Sequence, residues 1–242
     1  MPTFSNKLVR VEDQIASACR RSGRPRSEVA LMAVSKSHPA SAILEAAAAG
    51  VTLFGENRVQ EFQQKSEELA RDGGLAPGID VHLIGKLQSN KSAKAAEIFS
   101  AIDSVDSLRL AQRLNEAAQR LGRILPILLE IKLSREETKS GLEPESIELP
   151  QLLERLPDLP HLKLGGVMTV PPWSEDPECA RPYFVQLRHL RDQLAARWPR
   201  LDFSRLSIGM SGDFAVAIEE GSTCVRIGTA LFGKRPYPAR PE

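Results

Sequence analysis

Eight short apolar runs, each typical of a buried strand, alternate with helix-forming segments along the whole chain. They lie at 29–34, 51–54, 81–84, 99–103, 124–131, 162–167, 203–208 and 223–227. Such alternation is typical of parallel strands joined by right-handed helical crossovers. A closed (β/α)8 barrel takes about 250 residues, and this chain has 242. We therefore predict an α/β fold with a single TIM barrel; an open doubly wound sheet is the alternative.

The chain shows no internal boundary, so we expect one domain over residues 1–242. No linker, composition shift or low-complexity segment separates the strand–helix units. Charges are balanced, with 32 basic and 31 acidic side chains and a formal net charge of +1. This balance gives no electrostatic reason to expect nucleic acid or an anionic membrane as a partner.

The cysteines, the histidines and the N-terminus together indicate a cytoplasmic protein without a metal. Cys19, Cys179 and Cys224 are odd in number and far apart, which favours a reducing compartment without disulfides. The four histidines show no metal-ligand spacing. The first ten residues are polar and charged, unlike a signal peptide, and no apolar run approaches the ~20 residues that span a bilayer.

A lysine, Lys36, comes two residues after the first apolar run. In a (β/α)8 barrel the working residues sit at the carboxyl ends of the strands. A lysine buried there would have a lowered pKa, and its amine could act as a nucleophile towards carbonyl groups. The alternative is that Lys36 lies just past the strand and reaches into water.

The loops after the seventh and eighth runs both combine glycine with a hydroxyl residue. The first loop contains Gly209, Ser211 and Gly212, and the second contains Gly228 and Thr229. Barrels often bind a phosphate at these two loops, where backbone N–H groups can approach an anion closely. Together they predict a phosphate ligand. The alternative is that both are ordinary turns, in which glycine and serine are common.

Arg226 lies inside the eighth run, between two aliphatic residues. One interpretation is a barrel-wall arginine paired with a glutamate, because a barrel interior has little room for an unpaired charge. The other interpretation places its guanidinium against a ring nitrogen of a ligand. A lysine amine, a phosphate site and an arginine near a heteroaromatic nitrogen suit one ligand, pyridoxal 5′-phosphate (PLP).

Seven segments spread over nearly the whole chain resemble those of a known family. They are AVSK at 33–36, FGEN at 54–57, HLIGKLQSNK at 82–91, KSG at 139–141, GVMT at 166–169, LSIGMS at 206–211 and VRIGTALFG at 225–233. With them the chain resembles the small pyridoxal phosphate homeostasis proteins, the YggS/PROSC family. These proteins look like the barrel domain of alanine racemase standing alone.

The resemblance implies a function and a set of site residues. It implies that Lys36 holds PLP as a Schiff base, that Asn57 lies beside the ring and that Arg226 meets the pyridine nitrogen. The phosphate is then held by residues of the two glycine-bearing loops: Ser211, Gly228 and Thr229. The expected role is PLP homeostasis by buffering or delivery, in a monomer whose candidate protein partners are PLP-dependent apoenzymes.

The segment at 82–91 matches the family without an assigned chemistry. We interpret Ser89 or Asn90 as the cap of the next helix and Lys91 as a solvated side chain. The alternative is that Lys86 or Lys91 belongs to a second, weaker site for cofactor transfer.

Two other functions compete with reversible binding: a racemase-like PLP enzyme, and a barrel that acts mainly by binding a partner protein. A racemase needs acid–base groups on both faces of the substrate carbon. In alanine racemase a tyrosine of a second domain opposes the lysine, but the tyrosines here are Tyr183, in a helical segment, and Tyr237, near the end. An arginine at the ring nitrogen only donates, which disfavours protonation of that nitrogen. We therefore expect a carrier and not an enzyme.

Overall fold

Parallel strands close into a barrel in the part of the chain that the structure describes. This computed structural model describes residues 3–71, 73–134, 136 and 139–234. The strands are β1 Ala30–Val34, β2 Leu53–Glu56, β3 Asp80–Leu83, β4 Ala101–Val105, β5 Leu125–Glu130, β6 Leu162–Met168, β7 Arg205–Met210 and β8 Cys224–Ile227. They follow one another in chain order, and β8 pairs with β1. The prediction of a (β/α)8 barrel is confirmed, and the open doubly wound alternative is wrong.

Helices alternate with the strands and pack around the barrel. Within the described residues they are α1 Phe4–Arg21, α2 Ala40–Ala48, α3 Val59–Arg71, α4 Ser92–Ile98, α5 Leu108–Arg120, α6 Glu148–Arg155, α7 Arg181–Arg197, α8 Phe214–Glu219 and α9 Thr229–Phe232. Their apolar residues recur at helical spacing, as Leu110, Leu114 and Ala117 do on the buried face of α5. The helical segments predicted from the sequence therefore lie where the barrel requires them.

The helix α1 packs where the barrel closes. The helix that follows β8, α9, has only 4 residues, and α1 packs beside it and beside α8. Val11, Ile15 and Ala18 on the inner face of α1 are buried. The rings of Phe4 and Phe232 lie 5.3 Å apart, which joins α1 to α9. An N-terminal helix thus covers the barrel beside the junction of its first and last strands.

The strands β2, β4 and β7 extend two residues further towards the carboxyl end than their apolar runs indicate. The strand β2 continues through Gly55 and Glu56, and β7 continues through Gly209 and Met210. Backbone pairing sets these ends, because Glu56 still pairs with Leu83 of β3. Glycine and charged residues are depleted in strands, so the sequence alone makes these positions look like turns.

Candidate functional site

A cavity of about 510 Å³ opens at the carboxyl ends of the strands. Its walls come from the ends of β1, β5, β7 and β8 and from the connections that follow β1, β2, β3, β5, β6, β7 and β8. All of the cofactor-binding residues predicted from the sequence line it: Lys36, Asn57, Ser211, Arg226, Gly228 and Thr229. The structure thus brings these residues together, while their individual roles stay predictions.

Lys36 lies two residues after β1, is half-buried, and lines the cavity. This position favours a lysine that takes part in the site over a lysine that only reaches into bulk water. The next residue, Ser37, has φ of 63°, in the left-handed region that few residues other than glycine adopt. The backbone around Lys36 is therefore held in an unusual conformation.

A largely buried group of charged residues lies beside Lys36, and no local pattern in the sequence reveals it. Lys65 of α3 pairs with Glu56 at the end of β2 and with Glu61 of α3, both at 2.7 Å. Glu56 is fully buried, and burial raises the pKa of its carboxyl group, although Lys65 opposes that shift. In the sequence, Glu61 and Lys65 resemble an ordinary surface pair at i,i+4, which is why the cluster was missed.

The two glycine-bearing loops meet through a side chain. The Ser211 Oγ accepts hydrogen bonds from the backbone N–H groups of Gly228, at 3.2 Å, and Ala230, at 3.3 Å. Thr229 is exposed and begins α9 between them. Backbone N–H groups and hydroxyl groups therefore converge at one edge of the cavity. Donors of these types are what an anion requires.

Arg226 is 3% exposed and donates to oxygens of a residue within β7 and of the residue that follows β6. Its Nη1 donates to the Ser207 carbonyl oxygen at 2.6 Å and to Ser207 Oγ at 2.7 Å, and its Nη2 donates to the Thr169 carbonyl oxygen at 2.8 Å. Burial lowers the pKa of the guanidinium, while nearby acidic groups that include Asp213 and Glu130 oppose this shift. Among the described residues no carboxylate forms a direct ion pair with Arg226, so the glutamate expected as its partner contributes only through longer-range charge.

Among the described residues three carboxyl groups line the cavity, and none was found from the sequence: Asp176 is exposed, whereas Glu130 and Asp213 are more buried. Glu130, the last residue of β5, accepts hydrogen bonds from Ser140 Oγ at 3.2 and 3.1 Å. Asp213 accepts one from the Met210 N–H at 2.6 Å. Burial raises the pKa of the Glu130 and Asp213 carboxyl groups. Glu130 could have been found from the sequence, because it is a charged residue near the end of an apolar run. Asp213 lies in the loop between β7 and α8, and no sequence pattern marks it.

The segment at 82–91 forms part of the cavity wall and of a neighbouring groove. Gly85 and Lys86 line the cavity, and Lys86 also lines the groove, of about 460 Å³. A Cβ atom on Gly85 would lie 2.3 Å from the Asn57 carbonyl oxygen, so this glycine allows the Asn57 backbone to approach closely. The prediction that Ser89 or Asn90 caps α4 is wrong, because both lie in a 3₁₀ turn before it.

Other candidate groups lie elsewhere. Tyr183 is on α7 and is not among the residues that line the cavity, and Tyr237 lies outside the described residues.

Among the described residues, no group of three or more His, Cys, Asp or Glu side chains is arranged to hold a metal ion. In the same part of the chain, no helix has both the length and the apolar character needed to cross a membrane.

The fold and the site define a known class of barrel. The family model of the alanine racemase N-terminal domain matches residues 8–236. Alanine racemase of Clostridium difficile 630 has a TM-score of 0.66 at 18% identity, covering 94% of this chain and 57% of that chain. At this identity the likeness concerns the fold alone.

Relatives with higher identity match this chain over almost their whole length. A pyridoxal phosphate homeostasis protein of Aquifex aeolicus (strain VF5) is 43% identical, covering 96% of this chain and 98% of the relative. One of Escherichia coli (strain K12) is 42% identical, covering 98% and 99%. The structure of PipY of Synechococcus elongatus PCC7942 with PLP bound has a TM-score of 0.79 at 42% identity, covering 92% of this chain and 100% of that chain. The chain therefore belongs to the pyridoxal phosphate homeostasis protein family, and the resemblance found in the sequence is confirmed.

Proposed function

We propose that this protein binds PLP, holds it as a Schiff base on Lys36, and buffers or delivers it within the cell. One observation carries this proposal. A half-buried lysine, a set of backbone and hydroxyl donors and a buried guanidinium all line a single cavity of about 510 Å³. The family's name and the PLP bound to PipY support the same ligand.

The donors of the cavity fit the chemical groups of PLP. When bound, the cofactor supplies an aldehyde that condenses with a lysine amine and releases one water. Ser211, Gly228 and Thr229 would hold the phosphate through hydroxyl and N–H donors. A guanidinium carries five N–H donors, and the three bonds that Arg226 makes to protein oxygens leave it able to donate to the pyridine nitrogen. Asn57 would lie beside the ring.

We propose a carrier and not an enzyme because of what Arg226 would do at the ring nitrogen. A guanidinium donates and does not accept, so it would keep that nitrogen unprotonated and the ring a weak electron sink. The relatives are named as homeostasis proteins. We further propose that the protein is a monomeric cytoplasmic single domain over residues 1–242 and that PLP-dependent apoenzymes receive its cofactor.

One observation favours residual amino-acid chemistry as a second function. Glu130 is 7% exposed, has a raised pKa because of burial, and lines the same cavity as Lys36. A carboxyl group with a raised pKa keeps its proton to higher pH than an ordinary glutamate and can serve as a general acid or base. Glu130 would then take the place of the tyrosine that the sequence lacks at a strand end.

Borohydride reduction followed by peptide mass spectrometry tests the proposed function. The wild type should carry the reduced cofactor on Lys36, and Lys36→Ala should remain folded but lose both the adduct and the near-visible absorbance. Lys94→Ala, on the partly exposed face of α4, is the matched control and should keep both. An adduct that persists on another lysine of Lys36→Ala would contradict the assignment.

Turnover separates the carrier from the enzyme. The carrier requires that the wild type racemise alanine far more slowly than the 1–10³ per second that is common among enzymes. A rate within that range, lost in Glu130→Gln, would instead establish the second function.

A further inference from the structure

We propose that Glu56, Glu61 and Lys65 form a brace that positions Lys36 for its reaction with the cofactor. The inference rests on the proposed function, because it takes Lys36 as the lysine that carries PLP. None of the three brace residues is among the residues that line the cavity. They are therefore positioning residues that act through the backbone on either side of Lys36.

Lys65 is the centre of the brace, and its side chain is buried. Its Nζ donates to the Ser35 carbonyl oxygen at 3.0 Å, and to Glu56 Oε1 and Glu61 Oε1 at 2.7 Å each. An ammonium group has three N–H donors, so these acceptors use all of them. Lys65 thus ties together the segment after β1, the end of β2 and the first turns of α3.

Both neighbours of Lys36 in the chain are held by the brace. Ser35 Oγ donates to Glu56 Oε1 at 2.7 Å, and the Ser37 N–H donates to Glu61 Oε1 at 2.5 Å. The backbone is therefore fixed on each side of Lys36. Since the flanking backbone sets the direction of a residue's Cα–Cβ bond, the brace directs the Lys36 side chain.

Ser37 shows that this conformation needs to be held. Its φ of 63° lies in the left-handed region, which costs free energy in any residue with a Cβ atom. Such conformations persist where the surroundings over-determine them. The hydrogen bond from the Ser37 N–H to the Glu61 carboxylate supplies that constraint, because bonds to ionised acceptors are stronger than neutral ones.

A contribution to stability alone does not account for the brace. A buried ion pair adds little net stability, because the desolvation of both charges offsets their attraction. Among the described residues, Glu56 Oε2 is also buried without a hydrogen-bond partner, which adds to the cost. These charged residues would add little to the free energy of unfolding of the barrel. They do restrict the conformation of the short segment that contains Lys36.

Glu61→Ala tests the brace with little risk to folding, because the Glu61 side chain is 26% exposed. We expect it to weaken PLP binding about tenfold through the lost charge-assisted bond. Binding of 4-deoxypyridoxine 5′-phosphate, which lacks the aldehyde, should change by no more than about twofold. Glu68→Ala, at an exposed position of the same helix, is the matched control and should bind both ligands as the wild type does.

A second substitution tests the mechanism by rescue. Glycine adopts positive φ without steric cost, so Ser37→Gly in the Glu61→Ala background should restore part of the lost PLP affinity. In the protein without ligand, hydrogen exchange at the Ser37 amide should be faster in Glu61→Ala than in the wild type. This measurement does not depend on the cofactor.

Several outcomes would overturn the brace. If Glu61→Ala weakened the binding of both ligands equally, the brace would have only a structural role. If hydrogen exchange at the Ser37 amide were unchanged, Glu61 would not hold the segment around Lys36. Absence of rescue by glycine would show that the left-handed conformation is not what Glu61 maintains. If the wild type gave no reducible adduct on Lys36, the proposed function would fail, while the exchange result would still decide whether the brace exists.

Discussion

Ser211 and Thr229 are both hydroxyl residues of the cavity, but the structure gives them different surroundings. The Ser211 Oγ already accepts two backbone N–H bonds, whereas Thr229 is exposed at the first turn of α9. Each can still donate its own O–H to a phosphate. We therefore expect the two residues to contribute separately to recognition of the phosphate.

Ser211→Ala and Thr229→Val should each weaken PLP binding by about 1.5–3 kcal/mol, because each removes a hydroxyl donor to a charged acceptor. Titration of each variant with PLP and with pyridoxal measures the effect. Pyridoxal lacks the phosphate, so its affinity should remain that of the wild type. Parallel losses for the two ligands would mean that these residues do not recognise the phosphate.

Glu130→Gln should reveal the pH dependence of a buried carboxyl group. Burial raises the pKa of Glu130 in the folded protein, so the folded state holds its proton to higher pH than the unfolded chain. The stability this gives is fully present below the ordinary glutamate pKa of about 4.3. It is lost as pH rises through the raised pKa, with a slope of at most about 1.4 kcal/mol per pH unit.

The neutral amide cannot lose stability in this way. Relative to the wild type, Glu130→Gln should therefore become more stable as pH rises from 4 to 7.5. Denaturant unfolding of both proteins across this interval measures the difference. A difference that stays constant with pH would show that Glu130 ionises alike in the folded and unfolded states.

At the scale of elements, the connection from β7 to α8 depends on Gly209. This residue has φ of 94°, and a Cβ atom there would lie 2.6 Å from Ala217 Cβ. Gly209→Ala should therefore lower the free energy of unfolding by about 1–3 kcal/mol through overpacking and backbone strain. Gly212→Ala, in the loop that follows β7 and with nothing within 4 Å of the new Cβ, is the control and should change the free energy of unfolding by less than about 0.5 kcal/mol.

A double variant separates the two causes. Ala217→Gly removes the methyl group nearest to the new Cβ, but it leaves the positive φ and the approach to Phe214 Cα at 3.0 Å unchanged. Adding Gly209→Ala to Ala217→Gly should therefore cost less than adding it to the wild type but should still lower the free energy of unfolding, a comparison that cancels the cost of the glycine in α8. No loss in the Ala217→Gly background would mean that crowding by Ala217 alone was responsible, and similar losses in the Gly209 and Gly212 variants would remove the special role of Gly209.

The number and order of the strands could be predicted from the sequence because buried parallel strands are continuous apolar runs. Their ends could not, since Gly55 and Glu56 look like turn residues and only pairing with β3 keeps them in β2. Lys36 and Ser211 were found because each lies within three residues of the carboxyl end of an apolar run. Asp213 and Lys65 were missed because their importance depends on contacts between separate elements, which no local pattern records.

At the scale of the whole molecule, α1 stabilises the closure of the barrel. Besides its contacts with α8 and α9, the segment that follows it is tied to the far end of the chain. Arg24 Nη1 donates to the carbonyl oxygens of Ile218 and Ser222, both at 2.9 Å. Since these residues precede β8, the contacts hold the first and last units of the barrel together.

Ile15→Ala should destabilise the whole barrel, because Ile15 is fully buried on the inner face of α1. We expect a loss of about 2–5 kcal/mol in the free energy of unfolding, from lost burial and the cavity left behind. Val9→Ala on the same helix is the control, since Val9 is 60% exposed. Equal effects of the two substitutions in denaturant unfolding would show that α1 is peripheral to closure.

The contact of Ser211 with the Gly228 and Ala230 N–H groups has a consequence for the rate of ligand exchange. The serine gives these donors an oxygen acceptor that belongs to the protein itself. If the phosphate of PLP binds here as proposed, its arrival would replace one acceptor with another, and its departure would return the donors to the serine. Neither direction would leave an N–H group without an acceptor in the transition state, which would otherwise raise the barrier. The dissociation rate constant could therefore be large even where the equilibrium affinity is high, as the proposed delivery of the cofactor requires.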